Sequence, residues 1–187
     1  MLNKNIIDSI DKILKEKQSI IIAIDGMSGS GKTTLANELK TKYNANLIHM
    51  DDYFLPLNMR SKERLSTPGG NVNYEKFYND IVLNLNKDLI SEPFDCKTKS
   101  FKEKVIIKHN KVTIIEGSYS LHPYFKNYYD ISIALRIDPK IQIERLTKRE
   151  KNKVQNFIDL RIPLENKYFN YYKIFDKATF LIDIKSA

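Results

Sequence analysis

The chain of 187 residues contains a single cysteine, Cys96, and lacks the marks of a secreted or membrane protein. One cysteine cannot form an intramolecular disulfide or a cysteine-rich zinc site, so we expect a reduced thiol. No apolar run approaches the roughly 18 residues that a membrane span needs. Residues 1–4 lead into a polar pattern instead of the apolar core of a secretory signal. These absences favour a cytoplasmic protein that does not bind a membrane.

Blocks of one charge are also missing, although the formal net charge is +8. The 31 basic residues are scattered among 23 acidic ones. Nucleic-acid-binding proteins often gather their basic residues into a patch or stripe, so the scatter argues against a nucleic-acid partner. A protein that handles anionic nucleotides is compatible with the same net charge.

Short apolar runs alternate with stretches of helical periodicity. The runs at 19–25, 46–50, 112–116, 131–137 and 179–184 predict strands, mostly buried on both faces as in a parallel sheet. Helices are expected at about 5–16, 33–42, 74–89, 139–149 and 157–173, the last despite Pro163. Residues 55–73 are expected to form a loop, and 94–98 and 104–108 to pair as a hairpin. The alternation predicts one α/β domain over residues 1–187 with a mainly parallel sheet.

A glycine-rich stretch follows the first predicted strand. Residues 26–33 read GMSGSGKT and match the phosphate-loop pattern G-x-x-x-x-G-K-[ST]. The glycines let N–H groups point inward, and the next helix adds its N-terminus to this anion site. Lys32 supplies positive charge for the β- and γ-phosphates, and Thr33 supplies a hydroxyl for Mg²⁺. We therefore expect ATP to bind Gly26, Met27, Ser28, Gly29, Ser30, Gly31, Lys32, Thr33 and Thr34.

Acidic residues stand where two core strands are predicted to end. Asp51 and Asp52 follow the second strand, and Glu116 ends the third. In an open parallel sheet the ligand crevice lies at the carboxyl ends of the strands, so both positions should face the phosphate loop. Asp51 is a candidate catalytic base for a substrate hydroxyl and a candidate metal ligand. Glu116 is expected to hold Mg²⁺ directly or through water, whereas Asp52 fits a turn cap as well as a substrate contact.

Basic residues surround a polar stretch at 150–156. Arg145 and Arg149 are four residues apart and share a helix face, with Lys148 beside them and Arg161 beyond the stretch. On a mobile flap these charges could close over the phosphates and exclude water, which makes Arg145 and Arg149 candidate catalytic residues together with Lys32. The alternative is a solvated helix face.

Taken in order, these motifs resemble the uridine kinase family of P-loop kinases, in particular its short bacterial members. The matching stretches are IDGMSGSGKTT (24–34), HMDDYF (49–54), PGGNVNY (68–74), FDC (94–96), EGSYSLHP (116–123) and QIERLTKR (142–149). They follow family order over most of the chain. The resemblance implies a P-loop NTPase fold, with a five-stranded parallel sheet in the order 2-3-1-4-5 flanked by helices.

The resemblance also implies roles that spacing alone does not assign. It implies that Asp51 is the base, that a hairpin insertion lies at about 93–109, and that the basic flap is a lid at about 149–157. It further implies that residues 70–74 and 94–99 line the acceptor pocket. The substrate-binding residues expected on this basis are Asp52, Tyr53, Asn73, Tyr74, Phe94, Lys99 and Arg161.

The chain departs from the family pattern in the acceptor pocket. Asn73 stands where family members carry an aspartate for the ribose hydroxyls, and Phe94 and Lys99 stand where they carry a base-reading tyrosine and histidine. Asn73 can still bond a diol, whereas Phe94 can only stack and Lys99 cannot accept a hydrogen bond. The phosphoryl-transfer residues therefore match the family better than the uridine pocket does.

Several functions are compatible with the sequence. The leading hypothesis is an ATP- and Mg²⁺-dependent kinase acting on the 5′-hydroxyl of a nucleoside such as uridine or cytidine. The acceptor could instead be nicotinamide riboside, pantothenate or a sugar. A guanine-nucleotide switch is disfavoured because no N-K-x-D motif occurs, and a nucleic-acid-binding ATPase is suggested only by the charge. A homo-oligomer is neither indicated nor excluded.

Overall fold

The computed structural model describes residues 2–95 and 98–185, so Cys96 and the end of the FDC stretch lie outside the described residues. The strands are β1 (Ile20–Gly26), β2 (Asn46–His49), β3 (Leu89–Ser91), β4 (Phe94–Asp95), β5 (Ser100–Phe101), β6 (Val105–Ile107), β7 (Val112–Glu116), β8 (Ile131–Ile137) and β9 (Phe180–Ile184). The α-helices are α1 (Lys4–Glu16), α2 (Lys32–Tyr43), α3 (Lys62–Ser66), α4 (Tyr74–Asp80), α5 (Pro139–Glu150), α6 (Val154–Asn156), α7 (Ile162–Tyr172) and α8 (Ile174–Lys177).

The main sheet has the strand order β2-β7-β1-β8-β9, and every neighbouring pair is parallel. Numbering only its own five strands along the chain, this is the order 2-3-1-4-5, so the expected fold is confirmed. Ile24 of β1 lies opposite Glu116 of β7, and His49 of β2 lies opposite the same Glu116. The carboxyl ends of β1, β2 and β7 therefore meet at one edge of the sheet.

Apolar side chains cover both faces of the sheet, which explains why its central strands read as continuous apolar runs. On one face Ile22, Ile24 and Ile133 pack with Leu35 and Leu39 of α2, and all five are fully buried. The opposite face packs against a second cluster that is rich in aromatic rings; it includes Phe77, Phe125, Tyr168 and Phe169. Each cluster fixes one layer of helices against the strands whose ends carry the acidic residues.

The predicted pairing of residues 94–98 with 104–108 is wrong. Phe94 of β4 pairs with Phe101 of β5, and Leu89 of β3 pairs with Ile107 of β6, both antiparallel. The predicted helix at 74–89 is also too long, because α4 ends at Asp80 and a 3-10 turn follows at Val82–Asn84. Residues 89–91 alternate buried, exposed and buried, which is the period of a strand.

The long C-terminal helical region was predicted correctly, with one irregularity. A π-helical turn at Phe157–Arg161 runs directly into α7, and the N–H of Ile162 donates to Phe157 O across it. This wider turn lies immediately before Pro163, a residue that cannot donate a helical hydrogen bond and whose ring crowds a regular α-helix. Within residues 2–95 and 98–185 no helix is both long and apolar enough to cross a bilayer.

Candidate active site

The phosphate loop connects the end of β1 to the start of α2. Gly26 has a φ of 153°, and a Cβ at this position would lie 2.4 Å from the carbonyl oxygen of Leu135 on β8. Gly31 has a φ of 93° and caps α2 in the left-handed region. Both positions therefore require glycine, because a side chain at Gly26 would collide with backbone and one at Gly31 would be strained. Ser30 is fully buried, and Thr34 is exposed on the first turn of α2.

Side chains from α5 and α7 hold this loop in place. Gln142 Nε2 donates to Ser28 O at 2.9 Å, and Arg145 Nη1 donates to Gly29 O at 3.1 Å. Glu165 accepts from the Ser28 N–H at 2.8 Å and from Ser28 Oγ at 2.5 Å. Lys32 Nζ donates to the carbonyl of Met27, which lies in the same loop, at 3.1 Å. The loop is therefore already curled around its own lysine.

A hydroxyl and a carboxylate meet beside the start of α2. Thr33 Oγ1 lies 3.4 Å from both carboxylate oxygens of Glu116, which is buried. His49 Nδ1 lies 2.6 Å from Glu116 Oε1. The hydrogen bond to Glu116 raises the pKa of His49, and burial opposes the shift. Hydroxyl and carboxylate oxygens are the ligands that Mg²⁺ prefers, so Thr33 and Glu116 fit a magnesium ion that completes its shell with phosphates and water.

No group of three or more histidine, cysteine, aspartate or glutamate side chains with metal-binding geometry occurs in the part of the chain that the structure describes. A metal ion at Thr33 and Glu116 would therefore depend on the nucleotide for further ligands, as Mg²⁺ in phosphate-handling sites commonly does.

Asp51 lies in a 3-10 turn, Met50–Tyr53, directly after β2. A Cβ on Gly117 would lie 2.8 Å from Met50 Cβ and 3.3 Å from Asp51 Oδ1, so glycine at position 117 lets the Asp51 turn approach the end of β7. Asp51 is accessible from the cleft but surrounded by protein. Desolvation raises the pKa of its carboxyl group, Lys32 opposes the shift, and Glu116 adds to it. The structure therefore brings Asp51, Glu116 and the phosphate loop together.

These groups line one cavity with a volume of about 140 Å³. The phosphate loop and the segments that follow β2 and precede α7 all contribute to its lining. Its lining residues are Ser28, Gly29, Lys32, Thr33, Asp51, Phe54, Arg60, Asn71, Glu116, Gly117, Ser118, Tyr119, Arg149, Phe157, Leu160, Arg161, Leu164 and Glu165.

The basic residues of the expected flap divide between the loop and the cavity. Arg145 contacts Gly29, as described above. Arg149 lines the cavity, and its Nε lies 2.7 Å from Glu150 Oε1. Arg161 also lines the cavity, with its guanidinium carbon 4.6 Å from the Phe157 ring centroid. Residues 151–161 form short helical turns over this side of the cleft.

Three of the expected substrate-binding residues are placed away from the cavity. Tyr53 is buried in the core, with its hydroxyl 3.0 Å from Ser91 Oγ. Asn73 is buried and caps α4 by accepting from the Lys76 N–H at 3.2 Å. Tyr74 stacks on His122 at 4.8 Å between ring centroids. Core packing holds Tyr53, a helix cap holds Asn73 and ring stacking holds Tyr74, so none of the three lines the cavity, and their role in acceptor binding stays a prediction.

The remaining expected contacts also lie outside the cavity lining. Asp52 is half-buried; desolvation raises its pKa, and His49 and Lys102 oppose the shift. Phe94 is buried against Phe101, with ring centroids 5.3 Å apart. Lys99 is exposed in the turn between β4 and β5, at a φ of 58°. Their role in binding a pyrimidine base therefore stays a prediction.

Sequence reasoning missed several residues that the structure places at the site. Gln142 is three residues before Arg145 on α5, and Glu165 is four residues after Arg161, so helical spacing from the predicted arginines could have found both. Asn71 and Arg60 lie in the segment read as a loop, where no periodicity singles them out.

Comparisons with known proteins agree with this geometry. A family model described as an AAA domain (AAA_18) matches residues 22–167. A uridine kinase of Halalkalibacterium halodurans is 33% identical over 149 residues, covering 72% of this chain and 68% of the relative. A uridine kinase of Clostridium botulinum strain Okra is 28% identical over 159 residues, covering 76% and 74%. A solved structure described as a possible uridine kinase from Bacillus stearothermophilus has a TM-score of 0.68 at 21% identity, covering 96% of this chain and all 100% of that one.

Proposed function

Because this chain belongs to the uridine kinase family of P-loop kinases, we propose that it transfers the γ-phosphoryl group of ATP to a hydroxyl group of a small molecule. The observation that carries the proposal is the shared cavity: Lys32 and Thr33 line its phosphate-loop end, and the Asp51 carboxylate lines the same space. A phosphate site and a candidate base facing one cleft are what phosphoryl transfer to a hydroxyl requires.

Each residue has a role that follows from its position. The loop N–H groups and Lys32 bind the β- and γ-phosphates, while Thr33 and Glu116 would hold Mg²⁺, which neutralises phosphate charge when bound. Asp51 accepts the proton of the acceptor hydroxyl. The acceptor oxygen then forms a bond to the γ-phosphorus, the bond from that phosphorus to the bridging oxygen breaks, and ADP leaves. Arg149 supplies positive charge beside the transferred group.

The acceptor class has two candidates. The names of the relatives favour a nucleoside such as uridine or cytidine. A different hydroxyl acceptor, such as nicotinamide riboside, pantothenate or a sugar, is favoured by the positions of Phe94 and Lys99, neither of which lines the cavity. The proposed setting is a cytoplasmic enzyme acting on small molecules, with its oligomeric state left open.

The test is Asp51→Asn, assayed with Mg·ATP against a panel of nucleosides and other hydroxylated compounds. Removal of a general base typically costs about 10²- to 10⁴-fold in turnover. Nucleotide binding should persist, because Asp51 is not part of the phosphate loop. Measured by ADP release and by nucleotide titration, turnover should therefore collapse while the dissociation constant for ATP changes little.

Asp159→Asn is the matched control, because Asp159 is exposed on the π-helical turn and does not line the cavity. It should retain full turnover. Equal turnover of Asp51→Asn and the unmodified protein would remove Asp51 as the base, and absence of ATP-dependent transfer to every acceptor tested would contradict the kinase assignment.

A further inference from the structure

Two arginines from outside the phosphate loop and α5 line the cavity. We call the part of the lining that Phe54, Arg60, Asn71, Leu160 and Arg161 contribute the acceptor end. The nearby carboxylates have other contacts, since Glu116 contacts Thr33 and Glu165 contacts Ser28. A neutral nucleoside would give these arginines nothing of opposite charge to bind, so their positions call for an explanation.

Arg60 is half-buried, and its orientation is fixed. Its Nε donates to Leu55 O at 2.7 Å, which anchors the guanidinium group within the loop that follows Asp51. Within residues 2–95 and 98–185, Arg60 has no ion pair and no further side-chain hydrogen bond. Two of the guanidinium nitrogens are therefore left to donate into the cavity, and paired donation to a carboxylate or a phosphate is the geometry that arginine favours.

Arg161 is held by aromatic rings instead of by a carboxylate. Its guanidinium carbon lies 4.6 Å from the Phe157 centroid and 5.7 Å from the Phe54 centroid. No ion pair to Arg161 is found among the described residues. Stacking on Phe54 and Phe157 orders the side chain while leaving its edge available for hydrogen bonds.

The positive charge needed at the phosphate-loop end is already present there. Lys32 lies inside the loop, Arg145 contacts Gly29, and Arg149 lines the cavity with its guanidinium carbon 5.6 Å from the Phe157 ring centroid. Arg60 belongs to the segment after Asp51 and is separate from this set. Its charge is therefore best explained by the acceptor and not by the nucleotide.

Asn71 adds a specific hydrogen-bond requirement. Its Oδ1 is buried and accepts no hydrogen bond within the described structure, while the rest of the amide group neighbours the Tyr119 hydroxyl. A buried oxygen of this kind destabilises the protein unless a donor reaches it, because it has lost its hydrogen bonds to water. A hydroxyl group of the acceptor would satisfy it, because a hydroxyl can donate where an anion cannot.

We propose that the phosphate acceptor is a small hydroxylated anion, carrying a carboxylate or a phosphate that Arg60 and Arg161 bind and a hydroxyl that donates to Asn71 Oδ1. The proposal rests on the proposed kinase function and narrows its acceptor. A second hydroxyl of the same molecule reaches Asp51 for transfer.

Binding of matched pairs of compounds tests this independently of turnover. The probes are glycerol 3-phosphate against glycerol, ribose 5-phosphate against ribose, and pantothenate against its neutral alcohol pantothenol. Each is titrated by calorimetry in the presence of Mg·ADP, on the unmodified protein and on Arg60→Gln, Arg60→Lys and Lys62→Gln. Lys62 is an exposed cation at the start of α3 and serves as the control for loss of general charge.

At least one anion should bind more tightly than its neutral partner. Arg60→Gln should weaken that anion by about tenfold or more, as expected for loss of a charge-assisted contact, without weakening the neutral compound. Arg60→Lys should recover part of the affinity, and Lys62→Gln should behave as the unmodified protein. Unchanged ADP affinity in Arg60→Gln shows that the variant is folded. Whether the tightest-binding anion carries a phosphate or a carboxylate identifies the group that Arg60 and Arg161 bind.

Three outcomes would overturn the inference: no anion binds more tightly than its neutral partner, Arg60→Gln and Lys62→Gln weaken it equally, or uridine is phosphorylated at a rate that Arg60→Gln leaves unchanged. The last outcome contradicts the proposal of an anionic acceptor but agrees with the kinase assignment. Arg60-dependent anion binding without ATP-dependent transfer to that anion supports the acceptor end as an anion site and removes that anion as the phosphate acceptor. Only the absence of transfer to every acceptor tested would remove the kinase as well.

Discussion

The Glu116 carboxylate is shared between two side chains that belong to different parts of the chain. His49 Nδ1 lies 2.6 Å from Oε1, and Thr33 Oγ1 lies 3.4 Å from each carboxylate oxygen. A carboxylate in this position can exchange its histidine contact for a magnesium ion, since both bind the same oxygens. His49 and a magnesium ion would therefore compete for the Glu116 carboxylate.

Glu116→Gln should therefore lower the pKa of His49 toward its ordinary value, because a neutral amide stabilises the imidazolium less than a carboxylate does. The folded-state pKa is raised, so the contact stabilises the fold fully below the unfolded pKa of 6.5 and loses that contribution as the pH rises through the folded pKa. The measurement is an NMR titration of the imidazole protons in both proteins. His122, whose pKa burial lowers to about 4, provides an internal reference. An unchanged His49 titration would contradict the contact.

At the scale of elements, α7 acts as a clamp on the phosphate loop. Its buried Glu165 accepts from Ser28 N and Ser28 Oγ, and also from Ser118 Oγ at 3.0 Å. Three residues further on, the Tyr168 hydroxyl donates to Asp25 Oδ2 at 2.8 Å, beneath the same loop. The loop is thereby tied to a helix that follows it in the chain by well over a hundred residues.

Glu165→Ala should loosen this clamp. It leaves the half-buried N–H and hydroxyl of Ser28 without this acceptor, whereas Ser118 Oγ can still donate to Gly26 O. The free energy of unfolding should therefore fall by about 1–2 kcal/mol, and the KM for ATP should rise by about tenfold. Glu165→Gln keeps one acceptor oxygen, so its free energy of unfolding and its KM for ATP should lie between those of the unmodified protein and Glu165→Ala. Urea unfolding and steady-state kinetics measure these effects. Asp159→Ala, which removes an exposed acid on the preceding turn, should change neither quantity. A stability loss with an unchanged KM would mean that Glu165 supports the fold and not the loop.

Elements differ in how well the pattern of residues predicted them. The strands of the main sheet were predicted because burial on both faces leaves unbroken apolar runs such as residues 20–24. The small sheets were not, because β4 and β5 contain two residues each and their pairing depends on Phe94 meeting Phe101 across the turn. The early end of α4 was missed because Ile81 and Leu85 continue its apolar spacing while serving the core from irregular turns.

At the scale of the whole molecule, the part of the site that could be predicted from the sequence is the part that the sheet topology brings together. A parallel sheet must bring the ends of β1, β2 and β7 together, so the sequence alone could predict that Asp51 and Glu116 lie beside the phosphate loop. The acceptor end could not, because Arg60, Asn71 and Arg161 converge from a loop and a π-helical turn whose packing no spacing rule specifies. The same limit applies to Tyr53 and Asn73, whose motif positions do not reveal that the core and a helix cap occupy them.

Nucleotide binding should stabilise the entire fold, because the loop joins the sheet, α2, α5 and α7. At a concentration of Mg·ATP about 100 times its dissociation constant, mass action adds about 2.7 kcal/mol. For a domain of this size that raises the melting temperature by about 5–10 °C. Lys32→Met, which removes the buried loop lysine, should abolish most of the shift, whereas Lys40→Gln on the exposed side of α2 should retain it. Thermal unfolding of the unmodified protein and of both variants, each with ATP, with GTP and without nucleotide, measures these shifts. A shift that Lys32→Met leaves intact would place the nucleotide away from the loop, and an equal shift with GTP would show that base identity contributes little to nucleotide binding.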